Sequence, residues 1–194
     1  AEFLIDSGAD INHSACGETA LHVASSCDRL SVVSLLVEKG AKVNKKDDYG
    51  RTPLFIALMN GHQSIAEFLV DHGSTNLSEN TDYSEYAPDG NARTPLMLAA
   101  QKGYSSVVLS LLKQGSNPNK QSAFGNPGYG RTALHYAAEE GHLDCVKILI
   151  DHGASINVTT AYIGREVYTP LQLAQKNQKR EVYQYLWDCQ MKRK

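Results

Sequence analysis

Apolar residues in this chain come in short, dense bursts separated by glycine, asparagine and charged turns, never in one long run. Residues 130–157, GRTALHYAAEEGHLDCVKILIDHGASIN, show the pattern most clearly. Thr132 stands where a helix N-cap is wanted, with a hydroxyl able to accept from a free N–H of the first turn. Ala133, Leu134, Ala137 and Ala138 then predict a short inner helix of small residues that neighbours can approach closely. Gly141-His142 breaks it. Val146, Ile148, Leu149 and Ile150 supply the apolar side of a second helix, and Gly153 ends that helix at a position suited to left-handed backbone. Two short helices cannot bury their apolar faces alone, so the unit requires copies of itself as neighbours.

The copies are present. Threonine recurs at Thr19, Thr52, Thr94, Thr132 and Thr169, with spacings of 33, 42, 38 and 37 residues, a base period of 33 with insertions. Glycine follows in phase at Gly40, Gly73, Gly115 and Gly153, and asparagine at Asn44, Asn119 and Asn157. With TALH at Thr19 and Thr132, TPLF at Thr52, TPLM at Thr94 and TPLQ at Thr169, the chain resembles the ankyrin repeat over essentially its whole length. The resemblance implies an all-α repeat solenoid, an ankyrin-repeat array of helix-turn-helix units with hairpin fingers, one partial plus five repeats. The units fall at residues 1–16 (partial), 17–49, 50–89, 90–127, 128–166 and 167–194, the last a C-terminal cap, all in a single array. Because residues 1–12 carry only the second half of a unit, the chain is expected to be a fragment of a larger protein that continues upstream.

Departures from the period are informative. Asp28-Arg29 and the stretch 176–180, KNQKR, replace the usual glycine turn between helices, Ala92 stands where a glycine is expected, and Asn76 arrives one residue early. Insertions lie near residues 77–89, 120–129 and 158–168. The first is acidic, with Glu79, Asp82, Glu85 and Asp89, and reads as a flexible loop. The second predicts a tight turn at residues 126–128, and the third, with Thr159, Thr160, Tyr162 and Tyr168, suits extended backbone. In ankyrin repeats such connections form the fingers, so the fingers here are lengthened while the helices stay standard. The closing MKRK reads as cations at a helix end or as the start of a basic tail.

Composition narrows the function. A net charge of −2 gives no strong field for phosphate backbones or anionic lipid, so nucleic acid and membrane are not the default partners. Four scattered cysteines without a CxxC pair predict neither a disulfide framework nor a zinc site, and fit a reducing compartment, cytoplasmic or nuclear. Cys16 and Cys27 are placed toward the concave side, as reactive thiols or as ordinary surface residues. Six of seven histidines, His22, His62, His72, His135, His142 and His152, fall in phase with the repeat, where the family uses them to tie helix ends and loops together; His13 alone is unplaced. Stacked units keep like residues in rows, which disfavours a convergent catalytic constellation, and no phosphate-binding glycine loop is present. No enzyme, cofactor, metal or small-molecule substrate is read from the sequence.

Repeat arrays bind with the concave surface of fingers and inner-helix ends. The residues just before the capping threonines are Glu18, Arg51, Arg93, Arg131 and Tyr168, so three consecutive arginines form a row. Tyr49 and Tyr129 stand beside it, and the inner-helix ends add Met59, Asn60, Gln101, Lys102 and Glu139. Tyrosine and arginine dominate binding hot spots, and arginine forks onto carboxylates. The expected function is a protein-interaction module of a scaffold, adaptor or ubiquitin-ligase substrate receptor. It captures a peptide segment with acidic residues or a free carboxylate through Tyr49, Arg51, Met59, Asn60, Arg93, Gln101, Lys102, Tyr129, Arg131, Glu139 and Tyr168. The row can equally be solvated finger. Two other readings are nucleic-acid association through the arginines and a structural self-association spacer.

Overall fold

A computed structural model of the chain describes residues 7–74, 93–122, 130–160 and 167–192. The acidic insertion 77–89, the turn at 126–128, Tyr129, Tyr162 and the opening apolar residues Phe3, Leu4 and Ile5 lie outside them. The chain packs as two compact units, Ala1–Thr75 and Asn76–Lys194.

Each threonine of the period starts an inner helix. In the first unit these are α1 (Ala20–Ser26) and α3 (Pro53–Asn60), followed by outer helices α2 (Leu30–Glu38) and α4 (Gln63–Asp71). In the second unit the inner helices are α5 (Pro95–Lys102), α7 (Ala133–Glu140) and α9 (Pro170–Lys176), followed by α6 (Ser105–Lys113), α8 (Leu143–Asp151) and α10 (Arg180–Lys192). Thr52, Thr94 and Thr169 accept from the N–H three residues on at 3.2, 3.2 and 3.3 Å, the capping bond the sequence predicts. Thr19 and Thr132 differ because a histidine occupies that third position. Their hydroxyls turn to the imidazole Nδ1, at 2.8 and 2.9 Å.

Inner helices stack on inner helices and outer on outer. Within the first unit α1 packs on α3 and α2 on α4; within the second, α7 is held between α5 and α9, and α8 between α6 and α10. Leu54, Ala57, Leu58, Ala99, Leu134, Ala137 and Ala138 are almost wholly removed from solvent, because small residues on the inner helices let the backbones approach. On α8 the buried residues are Cys145, Val146 and Leu149, whereas Ile148 and Ile150 are half-buried, so the apolar stripe lies one residue N-terminal to the expected one. Burial pushes the Cys145 thiol up to about 12, which makes it an inert core residue.

The turn between the helices requires left-handed backbone. Gly61, Gly103 and Gly141 supply it at φ 83°, 77° and 87°. Asp28 and Gln178, in the same slot, are forced to φ 53° and 58°, a conformation that costs an L residue about 1–2 kcal/mol. The exit asparagines join successive repeats. Asn44 and Asn119 donate from Nδ2 to the carbonyls of Gly73 and Gly153 at 2.9 and 3.0 Å, and Asn119 Oδ1 accepts from Ser155 N at 2.7 Å.

Candidate functional site

The fingers rise from the segments before the capping threonines, and side chains pin their bases. The first is a two-residue hairpin of β1 (Ser14–Ala15) and β2 (Glu18–Thr19), with Ser14 opposite Thr19. Cys16 and Gly17 both take positive φ, 52° and 76°, as a type I′ turn demands, and a Cβ on Gly17 would strike Asp48 of the next finger.

In the second finger Asp47 organises the turn. Its carboxylate, with no side-chain exposure, accepts from Tyr49 N at 3.0 Å, from Arg51 N at 2.7 Å and from Arg51 Nε at 2.6 Å, while Asp47 N donates to Arg51 O. Ser122 and Thr160 do the same work in the second unit. Arg131 N donates to Ser122 Oγ at 3.1 Å and Ser122 N to Arg131 O at 2.8 Å; Tyr168 N donates to Thr160 Oγ1 and Thr160 N to Tyr168 O, both at 2.9 Å. Three residues separate Asp47 from Arg51, eight separate Ser122 from Arg131, and seven separate Thr160 from Tyr168. The lengthened fingers are therefore closed at the base by the bonds that close the short one.

Above these bases sit the predicted binding residues. Arg51 belongs to the first unit, Arg93 and Arg131 to the second. In the second unit the residue before each capping threonine reaches the residue eight positions on, at the end of the inner helix. Arg93 Nη1 bonds Gln101 Oε1, and Arg131 forks onto Glu139, with Nη2 to Oε1 at 3.2 Å. Lys176 Nζ donates to the Tyr168 hydroxyl at 2.8 Å and lies 4.3 Å from the centre of its ring. The Arg131 guanidinium also lies 5.5 Å from the centre of the Tyr136 ring. Arg51 has Met59 at the matching place and finds no acceptor there. It turns back to Asp47 and, across the repeat boundary, to Glu18 at 3.0 Å, with its guanidinium 4.9 Å from the centre of the exposed Tyr49 ring.

The arginines are thus held within the chain, not free of packing duty as their finger positions predict. Gln101, Glu139 and Tyr168 join the site as partners in these rungs; Asn60 and Lys102 are exposed and Met59 is half-buried. Asp47, Ser122, Thr160, Tyr136 and Lys176 were not anticipated from the sequence. A signal existed for the first three, since each follows an exit asparagine by three residues: Asn44–Asp47, Asn119–Ser122, Asn157–Thr160.

The histidines bind the frame beneath the site. His22 Nε2 donates to Arg51 O at 3.1 Å and His135 Nε2 to Tyr168 O at 3.2 Å. A carbonyl only accepts, so Nε2 carries the proton and Nδ1 accepts from the N–H of Thr19 or Thr132, both at 3.1 Å. Each imidazole therefore ties one inner helix to the next finger. Burial is the main reason that both rings are held below the usual histidine range, with His135 at about 4, where the Arg131 charge also lowers it. His62 and His142 donate to Ser26 O and Gln101 O of the preceding repeat at 3.1 and 3.0 Å. His72 and His152 reach back to Phe68 O and Ile148 O, both at 2.8 Å. Cys16 and Cys27 are exposed free thiols at the hairpin tip and the end of α1. Among the described residues no cluster of histidine, cysteine or carboxylate could hold a metal ion, and no helix is long and apolar enough to cross a membrane.

The pattern described as ankyrin repeats (3 copies) matches residues 1–81, 49–122, 76–160 and 96–194. The chain belongs to the ankyrin-repeat family. Ankyrin repeats are protein-interaction modules. Rabankyrin-5 of Mus musculus is 37% identical over 89 residues, 39% of this chain and 8% of that protein. The protein phosphatase 1 regulatory subunit 27 of Homo sapiens is 39% identical over 66 residues, 34% of this chain and 43% of that protein. Ankyrin repeat and SOCS box protein 3 of Homo sapiens is 44% identical over 50 residues, 26% of this chain and 10% of that protein. The chain spans less than half the length of each of these relatives.

Proposed function

We propose that this array captures an extended peptide segment of a partner protein along the rungs of fingers and inner-helix ends, and that the segment carries acidic residues or a free carboxylate. The observation that carries the reading is the in-phase set Arg93–Gln101, Arg131–Glu139 and Tyr168–Lys176, one rung per repeat on one face of the second unit. Fixing the side chains before a ligand arrives lowers the rotamer entropy lost on binding. Among the described residues of these rungs and inner-helix ends, Arg93, Lys102, Arg131 and Lys176 stand against Glu139 and Glu140, which favours an acidic ligand. In the first unit, taken by itself, Tyr49, Arg51, Met59 and Asn60 offer a surface of the same kind. Tyr129, of the same row, lies outside the described residues.

The relatives support an adaptor role, since one is named for ankyrin repeats and a SOCS box and another as a phosphatase regulatory subunit. On this reading the chain is the recognition part of a scaffold, adaptor or ubiquitin-ligase substrate receptor that works in the cytoplasm or nucleus and performs no catalysis itself. The test is a panel of extended peptides, acidic, neutral and carboxylate-terminated, titrated at low salt against the protein and its Arg93→Glu/Arg131→Glu variant. Acidic members should bind best and lose about tenfold or more in the variant, with affinity falling as salt rises. Equal binding by the variant would remove the arginine rungs from the site.

A further inference from the structure

The rungs of the second unit differ in charge, and the difference runs in a pattern. Gln101-Lys102, Glu139-Glu140 and Lys176-Asn177 hold the seventh and eighth places after their capping threonines, at the ends of the inner helices α5, α7 and α9. At the first, Arg93 bonds the neutral Gln101 and Lys102 is exposed, so the rung is cationic. At the second, the forked pair of Arg131 with Glu139 cancels, and the exposed Glu140 leaves the rung acidic. At the third, the cation is Lys176, set on the neutral Tyr168. Glu140 is the residue that breaks a local rule. It stands at the negative end of the α7 dipole, where α5 and α9 carry lysine in the last turn and an acid is disfavoured. A charge that its own helix does not favour, held out to solvent beside the rungs, is accounted for by a cation that it meets there.

We propose that the segment captured by this unit carries an acidic, a basic and an acidic residue at three-residue intervals, in polyproline II conformation, with the base facing Glu140. The inference rests on the peptide reading given above and adds to it the order and spacing of the charges. Helices α5, α7 and α9 stack side by side, and packed helices lie about 8–10 Å apart. A polyproline II segment advances about 9 Å per turn of three residues, so residues i, i+3 and i+6 share one side and meet successive rungs. A β-strand covers a similar length in three residues but turns residue i+3 to its other side. Charge then sets the order. Acids face Lys102 and Lys176, a base faces Glu140, and an unbroken run of acids would set like charge against Glu140.

The probes are the capped peptides Glu-Pro-Pro-Lys-Pro-Pro-Glu, Glu-Pro-Pro-Glu-Pro-Pro-Glu and Lys-Pro-Pro-Glu-Pro-Pro-Lys. Blocked ends remove their terminal charges, and the prolines preset the conformation. Each carries a neutral fluorophore, and anisotropy at low salt reads its affinity. The first should bind about threefold or more tighter than the all-acid second, although the second has the larger net charge, and the third should bind weakest. Moving the lysine by one residue, as in Glu-Pro-Pro-Pro-Lys-Pro-Glu, should remove the advantage. Glu140→Lys, which suits the end of α7 and so retains the fold, should invert the order and favour the all-acid peptide by about threefold or more. Misfolding cannot invert a preference. If the all-acid peptide binds the unaltered protein as tightly as the patterned one, or if Glu140→Lys leaves the order unchanged, the charge order is overturned while capture of acidic segments stands. If the proline peptides fail where other extended acidic peptides bind, the register is overturned in the same way; if no acidic peptide binds, both readings fall.

Discussion

His135 shows how much one side chain can hold. It caps its own helix, reaches the next finger, and is fully buried. Its folded-state pKa, about 4, lies below the ordinary 6.5, so the fold prefers the neutral ring. The stabilisation is therefore complete above about pH 6.5 and is lost as pH falls toward 4, by an amount on the order of 3 kcal/mol. His22 is shifted the same way and adds to the acid limb. Gln172 makes the equivalent capping bond, its Oε1 accepting from Thr169 N at 2.8 Å. His135→Gln should accordingly keep the helix and flatten the pH dependence of urea denaturation between 6.5 and 4; an unchanged slope would assign that limb to other groups. The two strained turn residues offer a second check. Gln178→Gly should raise the stability of the second unit by up to about 1 kcal/mol, since glycine takes positive φ freely. Asp28→Gly should gain less, because Asp28 faces His62 at 3.5 Å and that contact would go.

At the scale of the elements, the finger bases deserve mutation before the tips. Ser122→Ala removes the acceptor for Arg131 N and should cost about 0.5–1.5 kcal/mol, whereas Asp47→Ala strips three donors of their acceptor and should cost about 1–3 kcal/mol. Denaturant midpoints for the pair decide it, and equal losses would mean that the carboxylate contributes no more than a hydroxyl. These bases also show what could be read from the sequence. The helices were legible because the threonine, glycine and asparagine landmarks repeat with the period, and each has one local task. The rungs were legible only as a row of positions. Whether such an arginine reaches the end of its inner helix, as Arg93 and Arg131 do, or turns back to its own finger, as Arg51 does to Asp47, depends on a residue eight places on, glutamine or glutamate there and methionine here, and no local periodicity carries that choice. Ile148 and Cys145 exchanged places for a related reason: cysteine counts as a polar candidate by chemistry but packs as a small apolar residue.

For the whole molecule, stability resides in the stacking of one inner helix on the next. Leu134 has no exposed surface and belongs to α7, which is gripped on both sides. Leu134→Ala should therefore cost about 2–5 kcal/mol, the usual range for a core cavity. Amide exchange should show the loss in α5, α7 and α9 together, because repeats are stabilised by their neighbours. Protection lost from α7 alone would contradict that coupling.

The hydrogen bonds at Ser122 and Thr160 have a consequence for how such a chain can change over generations. Because each pair fastens the two ends of a finger, lengthening the chain between them costs loop-closure entropy of roughly 0.6 kcal/mol for each doubling of length. Sequence can then be gained, lost or exchanged by insertion and deletion between Ser122 and Arg131 while the bonds that close the base are kept. The repeat period fixes the frame, and the length of chain between the two fastened ends is the part left open to change.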